Sequence, residues 1–593
     1  MRSIHLNLST ATKRDKFIGI AFFGLTIYFL VRSFILSWSI DIWYDELFSM
    51  EFSSSSVKEL VADTARDVHP PLYYMIVRFF TLLFKGFGLT SLAGGGLMPI
   101  ETVAKIVSVI PFILLIIYSL TNIRKHFGWL TAGLFCFAVV TMPGLPEYTT
   151  EIRMYSWAIF FVTATLLHGF NLVRSMGNPK GKQAESKHPQ KDETGALVSP
   201  RMWEIINGAA MFFYAVCASY THYYAAISIG AIYFLLLVWM VKAFILQKSV
   251  YNFRPLAILI ITMNLVIVAF IPWASALLTQ VNAVSNNYWI QPVGLHTLGS
   301  CAKYMLSGYF VNPKAAAASA VILALFITII FALMIVKLIG VKKSMTEEGF
   351  DNKAMVNTPF AYSYVAFWVL PMLIAVGFAA SIIIRPVFVN RYMVPSFGVF
   401  WLAVSIGIGV LAREFSFTGL REKKSLIALP AVILAIVIAI IGIVDFRAFI
   451  GNEKYRIVNM TKTAELLGGI DDDTVIISNF DHVQALLSYY LNENGIPGAY
   501  KGDTQVPYSI YLYKAEPEQL IKENVPGLYS IEDSADIYNY LDAGKKVLFL
   551  GSFNSREVLL DEWNKDYGIT YENKGSYLME RYWFDVFELA IQR

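Results

Sequence analysis

Asp41-Ile-Trp43-Tyr44-Asp45-Glu46 follows the first long apolar run of this 593-residue chain, and Asp67-Val-His69-Pro70-Pro71-Leu-Tyr73-Tyr74 comes about two dozen residues later. Carboxylates, an imidazole and phenols are thus concentrated in one polar loop beside a membrane-length segment. A carboxylate among bulky rings that exclude water can serve as general base on an acceptor hydroxyl. The same set, through Asp41, Asp45 and Asp67, could instead hold a divalent cation, which is the second reading. An acidic pair with Trp43 and Tyr44 alone would describe only an interfacial loop and its aromatic belt. The company of Asp67 and His69 is what points to chemistry.

Three further clusters carry groups that recognise phosphate or sugar. One is Pro146-Glu-Tyr-Thr-Thr-Glu151-Ile-Arg153-Met-Tyr155. Arg153 alone would be a snorkelling side chain, but Glu151, Arg153 and Tyr155 together fit a hydroxylated or phosphorylated ligand. The second, Tyr220-Thr-His222-Tyr223-Tyr224, lies in a very short turn between apolar runs. The third, Arg385-Pro-Val-Phe-Val-Asn-Arg391-Tyr392, puts two arginines beside the bilayer. Such charges are costly there unless paired, and a lipid phosphate is a fitting partner.

The elements that must position these residues are transmembrane helices. The chain is 56% hydrophobic and 16% charged, with mean hydropathy +0.53, and its repeated apolar runs are near membrane-spanning length. About eleven spans are expected, near 17–40, 101–121, 127–146, 153–173, 203–220, 223–243, 255–277, 316–337, 359–383, 392–412 and 425–444. The N-terminus and the connections near 122–126, 174–202, 242–254, 337–354 and 413–424 are rich in Lys and Arg; the alternate ones, including 41–100 and 276–315, are not. The positive-inside rule therefore puts the N-terminus in the cytoplasm, and puts Asp45, His69, Arg153, His222, Arg391 and the C-terminal part on the opposite face. Residues 72–87 are short for a span and contain Arg78 and Lys85, so they read as a helix in the interface, with a second short surface helix at 57–66. The segment 178–198 reads as a disordered cytoplasmic connection. The run from 17 to 40 lacks a small-residue cleavage site and reads as a retained span.

Residues 445–593 hold 24 acids and 14 bases, net −10, leaving +14 on the rest of the +4 chain. This asymmetry marks two parts, 1–445 and 446–593, and no nucleic-acid binder. Thr474–Ser478 and Lys546–Leu550 read as short buried strands and 482–493 and 554–566 as helices, giving a small α/β domain with no catalytic motif. Gly551-Ser-Phe-Asn reads as a plain strand-to-helix turn. Cys136, Cys217 and Cys301 have no metal-ligand spacing and make no disulfide framework.

In this order, Asp45-Glu46, "D-x-H-P-P-L-Y-Y" from Asp67 to Tyr74, "E-x-R-M-Y" from Glu151 to Tyr155, "T-H-Y-Y" from Thr221 to Tyr224 and "R-P-x-F-x-x-R-Y" from Arg385 to Tyr392 resemble the membrane glycosyltransferases of the C-type (GT-C) fold. The similarity is to protein O-mannosyltransferases and bacterial aminoarabinose transferases, and it covers about residues 1–445. The aminoarabinose enzymes carry Lys at the position of His69. The resemblance implies two juxtamembrane helices in the first outer loop and a sugar donor linked to a polyprenyl phosphate. It also implies transfer to an acceptor hydroxyl with inversion and a bacterial plasma-membrane location. Asp45 would be the base and Glu46 would orient the loop or contact the sugar. Arg153 and Arg391, then Arg385 and His69, would stabilise the leaving phosphate. Asp67, Tyr73, Tyr155, His222, Tyr223 and Tyr392 would line the substrate site. The acceptor is a glycan, lipid or protein, and no cofactor is required. Two other classes fit the composition: a lipid transporter or flippase, and a non-catalytic envelope-assembly protein. Transporters bury ionisable groups at the membrane midplane, whereas these spans are nearly free of acids away from their ends.

Overall fold

The computed structural model describes residues 12–39, 42–90, 97–176, 199–246, 252–283, 290–347, 358–416, 421–471, 473–491, 509–517 and 528–591. Asp41 and the segment 178–198 lie outside the described residues. Ten described helices are long and apolar enough to cross a membrane. They are α1 (Lys13–Leu36), α5 (Ile100–Phe127), α7 (Tyr155–Met176), α8 (Pro200–Thr221), α9 (Tyr223–Leu246), α10 (Arg254–Ala283), α12 (Pro313–Glu347), α13 (Pro359–Ile383), the segment Asn390–Glu414, whose α-helical part is α14 (Phe397–Leu411), and α15 (Lys423–Gly468). The run expected at 127–146 forms α6 (Trp129–Thr141), which at 13 residues is the shorter apolar helix of the set. The chain is a multi-pass helical membrane protein.

Between α1 and α5 lie three short helices: α2 (Tyr44–Ser54), α3 (Val57–Arg66) and α4 (Leu72–Gly86). Ser56 caps α3 by accepting from the Glu59 amide while Glu59 returns a bond to the Ser56 amide, so two otherwise orphaned donors are satisfied. Pro70 and Pro71 end the turn before α4 because neither supplies an amide donor. Cys301, expected in a loop, sits buried on α11 (Leu295–Leu306).

In lipid, apolar contact between helices gives little net drive, and close packing of small residues takes over. Helices α1 and α6 show this. A Cβ on Gly133 would lie 2.2 Å from the Gly19 carbonyl oxygen, and one on Gly19 would lie 2.3 Å from the Trp129 carbonyl oxygen. Backbone meets backbone here, so no side chain can yield. Gly133→Val should therefore force the pair apart at a cost of about 1–3 kcal/mol, read as a lowered Tm in detergent. An unchanged Tm would mean that the crossing relaxes freely.

Basic groups gather at one end of the bundle. Arg14 donates to the Phe415 and Ala412 carbonyls at 2.7 and 2.9 Å, Arg413 donates to the Phe127 carbonyl at 2.7 Å, and the Arg174 guanidinium lies 4.6 Å from the Tyr362 ring. The α2–α4 helices and the motif residues lie at the other ends of the same spans.

Helix α15 runs without a break through residue 445 and leads into a six-stranded sheet of order β3-β2-β1-β4-β6-β5. The strands are β1 (Val475–Ser478), β2 (Ser509–Tyr513), β3 (Leu528–Ile531), β4 (Val547–Gly551), β5 (Ile569–Met579) and β6 (Tyr582–Ile591). The first four are parallel, and β5 and β6 form an antiparallel hairpin on that sheet. Helices α16 (Asp481–Leu491), α17 (Ser534–Asp542) and α18 (Ser555–Tyr567) complete the α/β unit.

Candidate functional site

Helix α2 starts at a densely bonded acid. Glu46 accepts the Trp43 amide at 3.1 Å, the Ile152 amide at 2.7 Å and the Lys105 ammonium at 3.1 and 3.2 Å. Glu46 and Lys105 are 2% and 1% exposed. One carboxylate thus ties the start of α2 to α5 and to the loop before α7. Its neighbour Asp45 is aimed differently, into a partly open space.

There Asp45 Oδ2 meets Arg391 Nη1 at 3.0 Å and Arg153 Nη2 at 3.6 Å, and Arg153 Nη1 donates to the Asp45 carbonyl at 3.1 Å. Residues 45, 153 and 391, from three distant motifs, therefore converge on one carboxylate. Burial alone would raise the Asp45 pKa, but Arg153, Arg391 and His69 together outweigh it and hold the carboxyl below its ordinary range. His69 Nδ1 lies 3.1 Å from Asp67 Oδ2, and its ring faces that of His222 at 6.0 Å. Burial pushes the His69 imidazole down despite Asp67, and it pushes His222 further down, with His69, Arg153 and Arg391 adding to the effect.

Tyr155 packs against Tyr148 and His222 at 4.8 and 5.4 Å, and Tyr392 stacks on Tyr224 at 4.8 Å and faces His222 at 5.4 Å. Tyr73 and Tyr74 are fully buried under α2. Among the described residues, the hydroxyls of Tyr74 and Tyr155, Nε2 of His222 and Nε of Arg153 are buried atoms with no hydrogen-bond partner. Buried polar atoms are normally partnered, so this array suits an oxygen-rich ligand.

Two expected residues stand apart. Tyr223 is bonded to Gln280 and receives the Trp273 indole N–H at 2.9 Å, which turns it toward α10. Arg385 makes no ion pair with Asp45. Among the described residues no group of three or more His, Cys, Asp or Glu is placed to hold a metal ion.

Sequence reading missed the partners that come from the C-terminal unit. The β5–β6 turn carries Glu580 at φ +49°, a left-handed value uncommon for a non-glycine residue, and pushes Arg581 into the membrane part. Arg581 pairs with Glu151 at 3.2 Å and lies 4.1 Å from the Trp43 ring, whose indole N–H donates to Glu151 at 3.1 Å. The neighbouring Arg456 pairs with Glu453 at 2.6 Å and Glu580 at 3.6 Å. Tyr489 also bonds Glu101 across the same seam. Burial pushes the Glu151 carboxyl up to about 7 against the pull of Arg581, and Glu580 up to about 8 against Lys105.

These acids ionise at higher pH folded than unfolded, so their protonated forms favour the folded state. That stability is full below the ordinary carboxylate range and is lost as pH rises through about 8 for Glu580. Raising the pH from about 6 to about 9 should lower Tm, and Glu580→Gln should flatten that dependence. A slope identical in the variant would remove Glu580 from the cause.

A cavity of about 490 Å³ opens beside the seam, walled by residues that include Glu147, Lys303, Tyr304, Asn390, Asp445 and Asn452. Tyr304 there shares a 2.7 Å hydroxyl contact with Tyr148, and Asn390 precedes Arg391 in the chain.

No family model matches this chain, and no curated protein does. Solved structures do. ArnT from Cupriavidus metallidurans in the apo state is 12% identical with TM-score 0.46, the match covering 97% of this chain and 100% of that one. The same protein bound to undecaprenyl phosphate gives 12% and 0.45, covering 97% and 99%. The archaeal oligosaccharyltransferase AglB from Archaeoglobus fulgidus, in complex with an inhibitory peptide and a dolichol-phosphate, gives 10% and 0.40, covering 89% and 69%. These likenesses are distant, at 12% identity or less.

Proposed function

We propose that the protein is a membrane glycosyltransferase that moves a sugar from a polyprenyl-phosphate donor to an acceptor hydroxyl on the extracytoplasmic face. The observation that carries this reading is one partly open carboxylate, Asp45, held by two arginines at 3.0 and 3.6 Å beside a bilayer-length bundle. An anionic lipid headgroup entering between spans competes with Asp45 for both guanidiniums. As they turn to the phosphate, Asp45 loses the charges that keep its pKa low and becomes a stronger base. It then takes the acceptor O–H proton while the acceptor oxygen bonds to the anomeric carbon. The carbon–oxygen bond to phosphate breaks on the opposite side, which inverts the centre. The electron pair leaves on the polyprenyl phosphate, where Arg391 and Arg153 stabilise it. Glu46 holds α2 in place through Lys105 and the Ile152 amide, and takes no proton. The buried hydroxyls of Tyr74 and Tyr155 and the His222 ring face the donor. The basic end of the bundle lies in the cytoplasm, which leaves the site on the outer face of a bacterial plasma membrane.

Polyprenyl phosphate alone tests the cation assignment. Hydrogen bonds to charged groups contribute about 1.5–3 kcal/mol each, so Arg391→Ala should weaken binding of detergent-solubilised polyprenyl phosphate by about 10- to 100-fold. Binding at wild-type strength would remove Arg391 from the phosphate site.

A further inference from the structure

The α/β unit does more than cover the site, because an aromatic surface crosses from it to the residue before Asp45. The His482 ring lies flat on Tyr44, centroids 3.6 Å apart and planes 15° apart. Phe480 faces His482 at 4.3 Å and Tyr582 at 5.3 Å, and His482 faces Tyr582 at 5.0 Å. Phe553 extends this set edge-on to Phe480 at 4.8 Å.

Phe553 is 60% exposed and sits at φ +57°. A left-handed backbone costs a bulky residue roughly 1–2 kcal/mol, and a large apolar ring facing water gains nothing from the exposure. The turn is nonetheless firmly built. Asn479 accepts the Ser552 amide at 2.8 Å and donates to the Ser552 carbonyl at 2.8 Å, which fixes where the ring stands. Strain kept in a rigid turn to present an aromatic ring is a signature of a binding surface. A polar atom edges the rings as well: His482 Nδ1 is buried with no hydrogen-bond partner among the described residues. The field of Asp45 reaches both His482 and Tyr582, so the surface adjoins the carboxylate assigned as base.

We infer that Phe553, Phe480, His482 and Tyr582 form the acceptor subsite, and that the acceptor is a saccharide. Flat rings bearing scattered hydrogen-bonding atoms match the C–H faces and hydroxyls of a pyranose. A peptide would be expected to meet an unpaired strand edge or a file of amides and charged groups. The inference rests on the transferase reading above and adds the class of its acceptor.

The test uses the purified full chain with labelled polyprenyl-phosphate sugars, an array of bacterial envelope oligosaccharides and an array of Ser/Thr peptides. Label should appear on saccharides. Phe553→Gly and His482→Ala should raise the saccharide KM by tenfold or more without altering polyprenyl-phosphate affinity. Phe553→Gly also separates binding from folding, because glycine relieves the left-handed turn. Its Tm should hold or rise while its KM worsens. Labelled peptides, saccharide labelling indifferent to both substitutions, or donor cleavage that labels only water would each overturn the subsite while leaving the transferase reading intact. No donor cleavage at all by folded protein would overturn both.

Discussion

Asp45→Asn should lower sugar transfer by about 10²- to 10⁴-fold, the range that general-base catalysis supplies, in a protein that still folds. The amide keeps the size and one acceptor oxygen of the carboxylate but cannot take a proton. The amide oxygen can still accept from Arg391, which faces Asp45 at 3.0 Å, so the site keeps its shape while the two guanidiniums lose the carboxylate that competes with phosphate. The variant should bind polyprenyl phosphate at least as tightly as wild type, since Arg153 and Arg391 no longer have a competing carboxylate. Weaker turnover together with tighter headgroup binding is a pairing that misfolding does not produce. Normal turnover would show that the base is another group.

The second large effect is on stability. Lys105→Met leaves the Glu46 carboxylate 2% exposed with its cation gone. Breaking a buried ion pair by removing one partner costs about 3–5 kcal/mol, a large share of the stability of most proteins. The loss should appear as a sharply lowered Tm and as proteolysis near the start of α2. Adding Glu46→Gln to Lys105→Met should recover much of it, because the amide still accepts from the Ile152 and Trp43 amides without a buried charge. A double variant no better than the single one would assign the damage to lost packing of the lysine stem.

The motif residues were legible because chemistry and topology agree on them. Asp45, Arg153 and Arg391 stand at span ends that the charge rule puts on one face, and an acid between two arginines is their natural arrangement. The helices at 57–66 and 72–87 were legible from length and charge. Lys105 was not, since a lone base inside the run 101–121 carries no sign of the partner that neutralises it. Arg581 and His482 were hidden for a different reason. Their contacts to Glu151 and Tyr44 span more than 400 residues of chain, and no local pattern encodes a pairing at that distance. The long β5–β6 hairpin was also obscure, because Glu572-Asn-Lys-Gly575 is polar on both faces and shows no alternation. The α15 helix shows the converse. Its apolar part marked a span, while Glu453 and Arg456, beyond 445, looked like the start of a soluble region and instead line the buried seam.

Donor consumption by purified wild-type protein reads the transferase activity directly. A panel of polyprenyl-phosphate sugars is incubated in detergent with membrane extract as acceptor source, and loss of sugar from the lipid is followed. One donor should be consumed, with one polyprenyl phosphate released for each sugar transferred. Folded protein that leaves every donor intact in the presence of extract would contradict it.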